Sequence, residues 1–513
     1  MPKSLAPNTL ANPQSMLARV LEEPDLVSAI QALPPASLLG LIERVGLEDA
    51  GELIALTTTE QLRRIFDEDV WRNGRPGEDD RFDPARFTLW LDVMLEAGAP
   101  FAADKLAELP EDLVELALHH HILVISLEEL ALLISEGEGQ VPLEKVVEDS
   151  PYLEFGDYCV IGRAWEGWDT LSTVLVALDE RHSHSLQAML ERLWRVTSDY
   201  VYGQGGLFEV LTSEEMLQSD AAADREDRRG REGFVAAASA RSFLSLARTS
   251  DPENLLRDPV RDPITRAFFR HTETSPVKTG PTGSPTARGL RDLLDEIADD
   301  APGPLLLSSG PGHSEAHPGL TRALVELAGR DPVRHTERLR ELGYLANTLL
   351  AGAGARGERL RPLEAAQAAL ATCSLGLEYA QPETSGPNQL DRLSCDVLFR
   401  IGARLLHDQV SVPATAAIDR VASRAARATE DPVARGALER LAGSARTALA
   451  ERRPASLGAR LDVLAKTIGG EAVAALAALG DDLPALPSED GQAFERIASV
   501  TQLRRARAFL EAL

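Results

Sequence analysis

His119-His120-His121 is where residue type first suggests metal chemistry in this 513-residue chain. Consecutive helical residues point about 100° apart, so three in a row cannot all face one ion. They also close an apolar segment, and histidine near a helix C-terminus suits the negative end of the dipole. The triplet therefore reads as a helix end. A second candidate is Asp179-Glu180-Arg181-His182-Ser183-His184. In a loop, His182 and His184 could join Asp179 or Glu180 around a metal. The same residues fit a helix–helix turn equally well.

Other patterns fail on their own chemistry. Asp67, Asp69 and Glu78 stand at positions 1, 3 and 12 of a would-be calcium loop. Trp71 and Arg72 occupy the positions that require an oxygen ligand and a glycine. Gly312-His313-Ser314-Glu315-Ala316 opens like a nucleophile elbow but lacks the closing glycine and the preceding strand. Tyr202-Gly203-Gln204-Gly205-Gly206 lacks the lysine and strand of a phosphate loop and reads as a helix end. Cys159, Cys373 and Cys395 form no CxxC pair and are odd in number. Buried, reduced thiols are expected rather than a disulfide framework or a zinc site. No HExxH, Walker A or Rossmann fingerprint occurs, so no catalytic, cofactor-binding or metal-ligating residue is assigned and no cofactor is expected.

What would position any site is a set of helices, and their starts are the clearest signal in the chain. Four cues begin at Leu33 (Leu33-Pro34-Pro35), Leu56 (Leu56-Thr57-Thr58-Thr59-Glu60), Phe82 (Phe82-Asp83-Pro84) and Leu109 (Leu109-Pro110-Glu111-Asp112). Their spacings of 23, 26 and 27 residues lie in the range of stacked helical repeats. Thr57 with Glu60 matches a capping box, and Asp83 can cap a helix with Pro84 at its first position. Phe82 and Phe87 fall at the two ends of a hydrophobic staple. Behind the starts the apolar residues keep helical spacing, as in Leu38, Leu41, Ile42 and Val45.

Hydrophobic residues make up 44% and charged residues 26%, the composition of globular domains. No apolar run approaches the ~18 residues of a membrane span. The nearest, Ile122 to Ile134, is broken by Glu128 and Glu129. The first residues lack the apolar stretch of a signal peptide, so a cytoplasmic location is expected. A net charge of −27 argues against nucleic acid or an anionic membrane surface as a partner; a protein partner is expected, and a basic one would be steered toward the acidic half. Residues 1–200 hold 37 acidic and 15 basic side chains, a net of −22, which leaves −5 for the rest.

The pattern divides the chain into an acidic helical-repeat domain at 1–140, a middle helical domain at 141–271, a Pro/Gly/Ser/Thr linker at 272–319 and a helical bundle at 320–513. Helical units are expected to run to about Leu133. Tyr152 to Ile161, around Gly156-Asp157, reads as a β-hairpin, and Trp168 to about Tyr200 as a long helix. Short helices are expected at 16–21 and 290–297. Pro332, Pro362, Pro413 and Pro432 mark helix starts. The expected fold class is mainly α: a stacked short-helix superhelical N-terminal domain, a helical middle domain with a small β-hairpin, and a C-terminal helical bundle.

Leu33-Pro34-Pro35-Ala36-Ser37-Leu38-Leu39-Gly40-Leu41-Ile42 and Leu109-Pro110-Glu111-Asp112-Leu113-Val114-Glu115-Leu116 resemble the cytosolic N-terminal domain of bacterial magnesium transporters. That resemblance implies a right-handed superhelix of short helices, and the transporter's membrane region has no counterpart here. The whole chain is similar to an uncharacterised bacterial family, domain of unknown function 6178. The opening repeat, Arg225-Glu226 to Gly233-Phe234, and Leu398-Phe399-Arg400-Ile401-Gly402-Ala403-Arg404-Leu405-Leu406-His407 carry that likeness. The family supplies organisation and no catalytic residue; the insertion at 272–319 departs from it. The function expected is a non-enzymatic interaction or regulatory scaffold. The alternative is an enzyme of unrecognised type with a site near Trp165 and His182.

Overall fold

The computed structural model describes residues 25–72, 77–136, 150–202, 213–273, 318–355, 358–381, 389–452, 454, 458–487 and 494–513. Most of the expected linker, the helices read at 16–21 and 290–297, Gly203 to Gly206 and the Ser314 motif lie outside them. Of the linker's edges, residues 272–273 close one helix and 318–319 open another. The described chain is mainly α-helical with a few small antiparallel sheets. Contacts gather it into two compact units, each with its own core. The division falls after Arg228, inside the 141–271 stretch, which contributes to both.

In the first unit, four of seven successive α-helices among the described residues start at the four cues, α2 (Pro35–Val45), α4 (Thr59–Asp69), α5 (Pro84–Glu96) and α7 (Glu111–His121); α1 (Leu26–Gln31), α3 (Gly51–Ile54) and α6 (Ala99–Glu108) start without one. The capping box at α4 sits one residue later than the sequence suggests. Thr58 and Gln61 cap each other, with Thr58 N–H donating to Gln61 Oε1 at 3.0 Å. The Thr57 hydroxyl instead donates to the Ile54 carbonyl at 2.7 Å, closing the preceding turn. Glu60 turns outward to Arg63 and Arg64. Gln61 does more than cap. Its amide also donates to the carbonyls of Ile30 and Leu33 at 2.8 and 2.9 Å, stitching the end of α1 to α4.

At α5 the cap is as read: Asp83 accepts from Arg86 N–H at 3.0 Å, with Pro84 at the first helical position. Phe82 and Phe87 meet with ring centroids 6.0 Å apart, and Phe87 is fully buried against Phe66 of α4 at 5.8 Å.

One departure concerns Ile122 to Leu133. After a short antiparallel pair, β1 (Trp71–Arg72) and β2 (Arg81–Phe82), Ile122–Ser126 is a third strand, β3, and only then does α8 (Leu127–Glu136) begin. The β-branched run Ile122-Leu123-Val124-Ile125 finds a partner in the expected hairpin, β4 (Tyr152–Phe155) and β5 (Tyr158–Gly162). The sheet order is β3-β5-β4, all antiparallel, with Val124 opposite Val160. Helix α9 (Trp168–Tyr202) then packs along α5, α6, α7 and β3.

The second unit is built on α10 (Ala237–Thr249), α11 (Pro332–Gly352), α12 (Pro362–Ala380) and α13 (Cys395–Leu406). A Cβ on Gly376 would lie 2.0 Å from the Leu398 carbonyl oxygen, and one on Gly402 2.0 Å from that of Thr372. Glycine there lets α12 and α13 touch backbone to backbone. Pro332, Pro362 and Pro432 each open a helix. Pro413 is the second residue of α14 (Val412–Ala428), which follows α13 through a π-helical turn at His407–Ser411. Proline cannot donate to the carbonyl four residues back, and the wider turn before it accommodates the missing bond.

Candidate functional site

A groove of about 410 Å³ opens in the first unit between α1, the turn at residues 55–57 and α6. Val27, Ala55, Leu56 and Phe101 give it an apolar lining, and Asp104, Lys105 and Glu108 of α6 supply its charge. Val27 is 48% exposed on the helix that buries Ile30. Lys105 is held in place: its ammonium bonds the Thr59 hydroxyl at 3.0 Å and lies 5.5 Å from the Phe101 ring centre. Thr59 in turn donates to Glu108. The groove's lining therefore joins apolar side chains to two carboxylates and an ammonium.

Asp104 has a second allegiance. Its carboxylate takes a two-pronged bond from Arg181, at 2.8 and 2.7 Å, and a third from His182 Nε2 at 2.8 Å. Hydrogen bonding to Arg181, then to His182, holds its pKa down to about 2. His182 is also where α9 breaks: its backbone, at φ −134° and ψ 41°, leaves the helical region in the middle of an otherwise continuous helix.

The clasp is one rung of a ladder. Thr170 of α9 donates to Asp92 of α5, Arg181 to Asp104 of α6, and Arg192 to Glu115 of α7. The partners are 78, 77 and 77 residues apart in sequence. Eleven residues are close to three helical turns, so Thr170, Arg181 and Arg192 fall on one face of α9. Trp194 adds a bond to Glu129 of α8 at 2.6 Å. The 11-residue spacing of these donors is a sequence signal that inspection for motifs passes over.

The histidine triplet splits three ways. His119 is buried, His120 stacks on Phe82 with centroids 5.8 Å apart, and His121 Nε2 bonds Thr88 Oγ1 at 3.0 Å and the Pro84 carbonyl at 3.2 Å. Burial lowers the pKa of His121. His182 and His184 do not converge either, since His182 faces Asp104 while His184 is exposed. Trp165 is 69% exposed in the turn before α9. From Trp168 to His182 the helix rises about 21 Å, so the two residues of the enzyme alternative are not gathered into one site. Asp67 and Asp69 hold arginines: Asp67 pairs with Arg228 at 2.7 Å, and Asp69 with Arg86 at 2.7 Å and the Trp90 indole at 2.6 Å. All three cysteines are buried free thiols, and burial raises the pKa of each.

The second unit hides a charged cluster that sequence reasoning missed. Glu341 of α11 accepts from Arg338 at 2.8 Å, from the Cys395 N–H at 2.8 Å and from Arg261. It thereby caps α13. Asp396, fully buried, makes no geometrically sound hydrogen bond to the described residues; its nearest cation is Arg261 Nε at 3.7 Å. Burial pushes its pKa up to about 6. The Ser394 hydroxyl holds it back, while Glu341 adds to the rise. No group of three or more metal-ligating side chains occurs among the described residues.

Among known proteins, no solved structure and no curated protein matches the chain. Residues 9–200 match the model of a family of unknown function, DUF6178, so the likeness to an uncharacterised family is carried by the region that forms the groove, the ladder and the small sheet.

Proposed function

We propose that the protein is a non-enzymatic interaction or regulatory scaffold of the cytoplasm whose first unit holds a segment of a basic protein partner. The observation that carries this reading is the groove, whose lining sets Val27, Leu56 and Phe101 beside the carboxylates of Asp104 and Glu108. It lies within residues 1–200, whose net charge of −22 draws cationic partners and repels nucleic acid. Helix starts at Pro35, Thr59, Pro84 and Glu111, together with the even ladder along α9, support a superhelix of short helices like that of the magnesium transporters' cytosolic domain.

The test is photo-crosslinking in the native cell. A benzoylphenylalanine at Val27 should trap a protein. One at Val433, 77% exposed in the second unit, should not trap the same one. The Val27 adduct should fall at least several-fold in a Leu56→Glu variant. Identical adducts from both positions, or an adduct indifferent to Leu56→Glu, would end the groove reading.

A further inference from the structure

Asp104 belongs to two structures at once. It lines the groove, and it is the acceptor that holds Arg181 and His182 at the break in α9. The ladder's other acceptors, Asp92 and Glu115, tie α9 without lining the groove. Resting on the reading of the groove as a partner site, we infer that a lysine or arginine of the bound segment competes for Asp104, and that its capture of the carboxylate loosens α9 at His182.

The competition is balanced enough to work. The side chains of Arg181, Asp104 and His182 are 45%, 38% and 34% exposed, so a cation arriving from the groove meets a carboxylate that solvent already reaches. Exposed ion pairs are individually weak, and an incoming guanidinium can replace one of like chemistry at little net cost. The break at His182 gives the exchange something to move. There the backbone leaves helical geometry, and the bonds to α6 fix the side chains at that point. Beyond the break, Arg192 and Trp194 continue to α7 and α8, so loosening at residue 182 separates the half of α9 tied to α5 and α6 from the half tied to α7 and α8. The clasp makes the state of the groove legible along α9.

Hydrogen exchange by mass spectrometry on the full chain tests this without the partner. Asp104→Asn removes the acceptor charge and should speed exchange of peptides covering residues 180–188 by about fivefold, the local cost of losing an exposed pair of this kind. Asp92→Asn, which cuts the neighbouring rung, should leave that peptide unchanged. Gln31→Arg places a cation inside the groove lining and should reproduce the Asp104→Asn effect with Asp104 intact. Unchanged exchange at 180–188 in Asp104→Asn would overturn the clasp as the support of the break. An effect in Asp104→Asn but none in Gln31→Arg would overturn the coupling to the groove. Because the measurement uses the protein alone, it fails separately from the crosslinking experiment, which asks only whether a partner sits in the groove.

Discussion

The two units place their most perturbed carboxylates differently: Asp104 of the first is 38% exposed, whereas Asp396 of the second is fully buried. In the first, Phe66, Phe87 and Trp90 meet edge to face in the core; Asp67 and Glu115 are buried against arginines, while Asp92 and Asp104 stand where solvent reaches them and tie α9. In the second, helices approach on glycines, and Glu341, Asp396, Arg338 and Arg400 are taken inside. Charge at a rim is available to a partner, because solvent already screens it and exchange costs little. Charge in a core is committed, because separating a buried pair leaves an uncompensated ion. The most perturbed carboxylates therefore mean different things. Asp104 is held ionised within reach of the groove, whereas Asp396 is buried in a network that anchors the start of α13 and the Arg261 segment.

The tryptophans make this contrast measurable, since all five lie before residue 200 and report the first unit. The largest effect should come from its aromatic core. Phe87→Ala empties a fully buried site against Phe66 and Phe82, and should cost on the order of 3–5 kcal/mol. Urea unfolding followed by tryptophan fluorescence should show that loss. A cost under about 1 kcal/mol would mean the aromatic cluster does not hold the unit together.

The second unit should respond to pH. Asp396 has its pKa raised from 3.8 to about 6, so the folded state binds its proton more tightly than the unfolded chain. Its stabilising contribution is complete below about pH 4 and is lost as pH rises through 6. About two units correspond to roughly 3 kcal/mol as an upper figure. Unfolding followed by circular dichroism, after subtraction of the tryptophan-reported transition, should place this slope in the second unit. Asp396→Asn should flatten the curve between pH 4 and 6 and make the unit more stable at pH 7. A slope of the same size that survives in Asp396→Asn would assign it to other groups.

Next in size is the glycine crossing. Gly402→Ala sets a methyl against the Thr372 carbonyl, a backbone atom that cannot swing aside. Forced overpacking of that kind costs about 1–3 kcal/mol. The loss should appear in circular dichroism and leave the tryptophan transition in place.

These contrasts also show which parts of the molecule a sequence exposes. Helix starts were readable because a cap is local: Asp83, Pro84 and the ring at Phe87 lie within five residues. The hairpin at Tyr152 to Gly162 was readable for the same reason, through its Gly156-Asp157 turn. Strand β3 was not, because a five-residue apolar run fits a helix or a strand until its partner is known, and that partner begins 32 residues later at Tyr158. Asp104 and Arg181 are 77 residues apart, and nothing near either one announces the other. Gly376 and Gly402 matter only once two helices are known to cross. The groove belongs to this second class, since α1, the 55–57 turn and α6 must first be brought together.

The smallest effect separates a local signal from a tertiary one at a single helix. Asp83 caps α5 through Arg86 N–H, and its other oxygen lies 3.2 Å from Arg72 Nε, an arginine side chain 60% exposed. The exposed pair adds little, so Asp83→Ala should cost about 1 kcal/mol, the usual loss of a cap. Four residues on, Phe87 should cost several times more, although it belongs to the same start signal. If α5 were held mainly by its own cap and propensity, the two losses would be similar, and α5 would be an ordinary surface helix. If it is held by packing against α4, as the burial of Phe87 and Trp90 implies, the ratio stays large and the neighbouring helices lose protection together in hydrogen exchange. Equal losses, or the reverse order, would remove the packed series of short helices on which the groove depends.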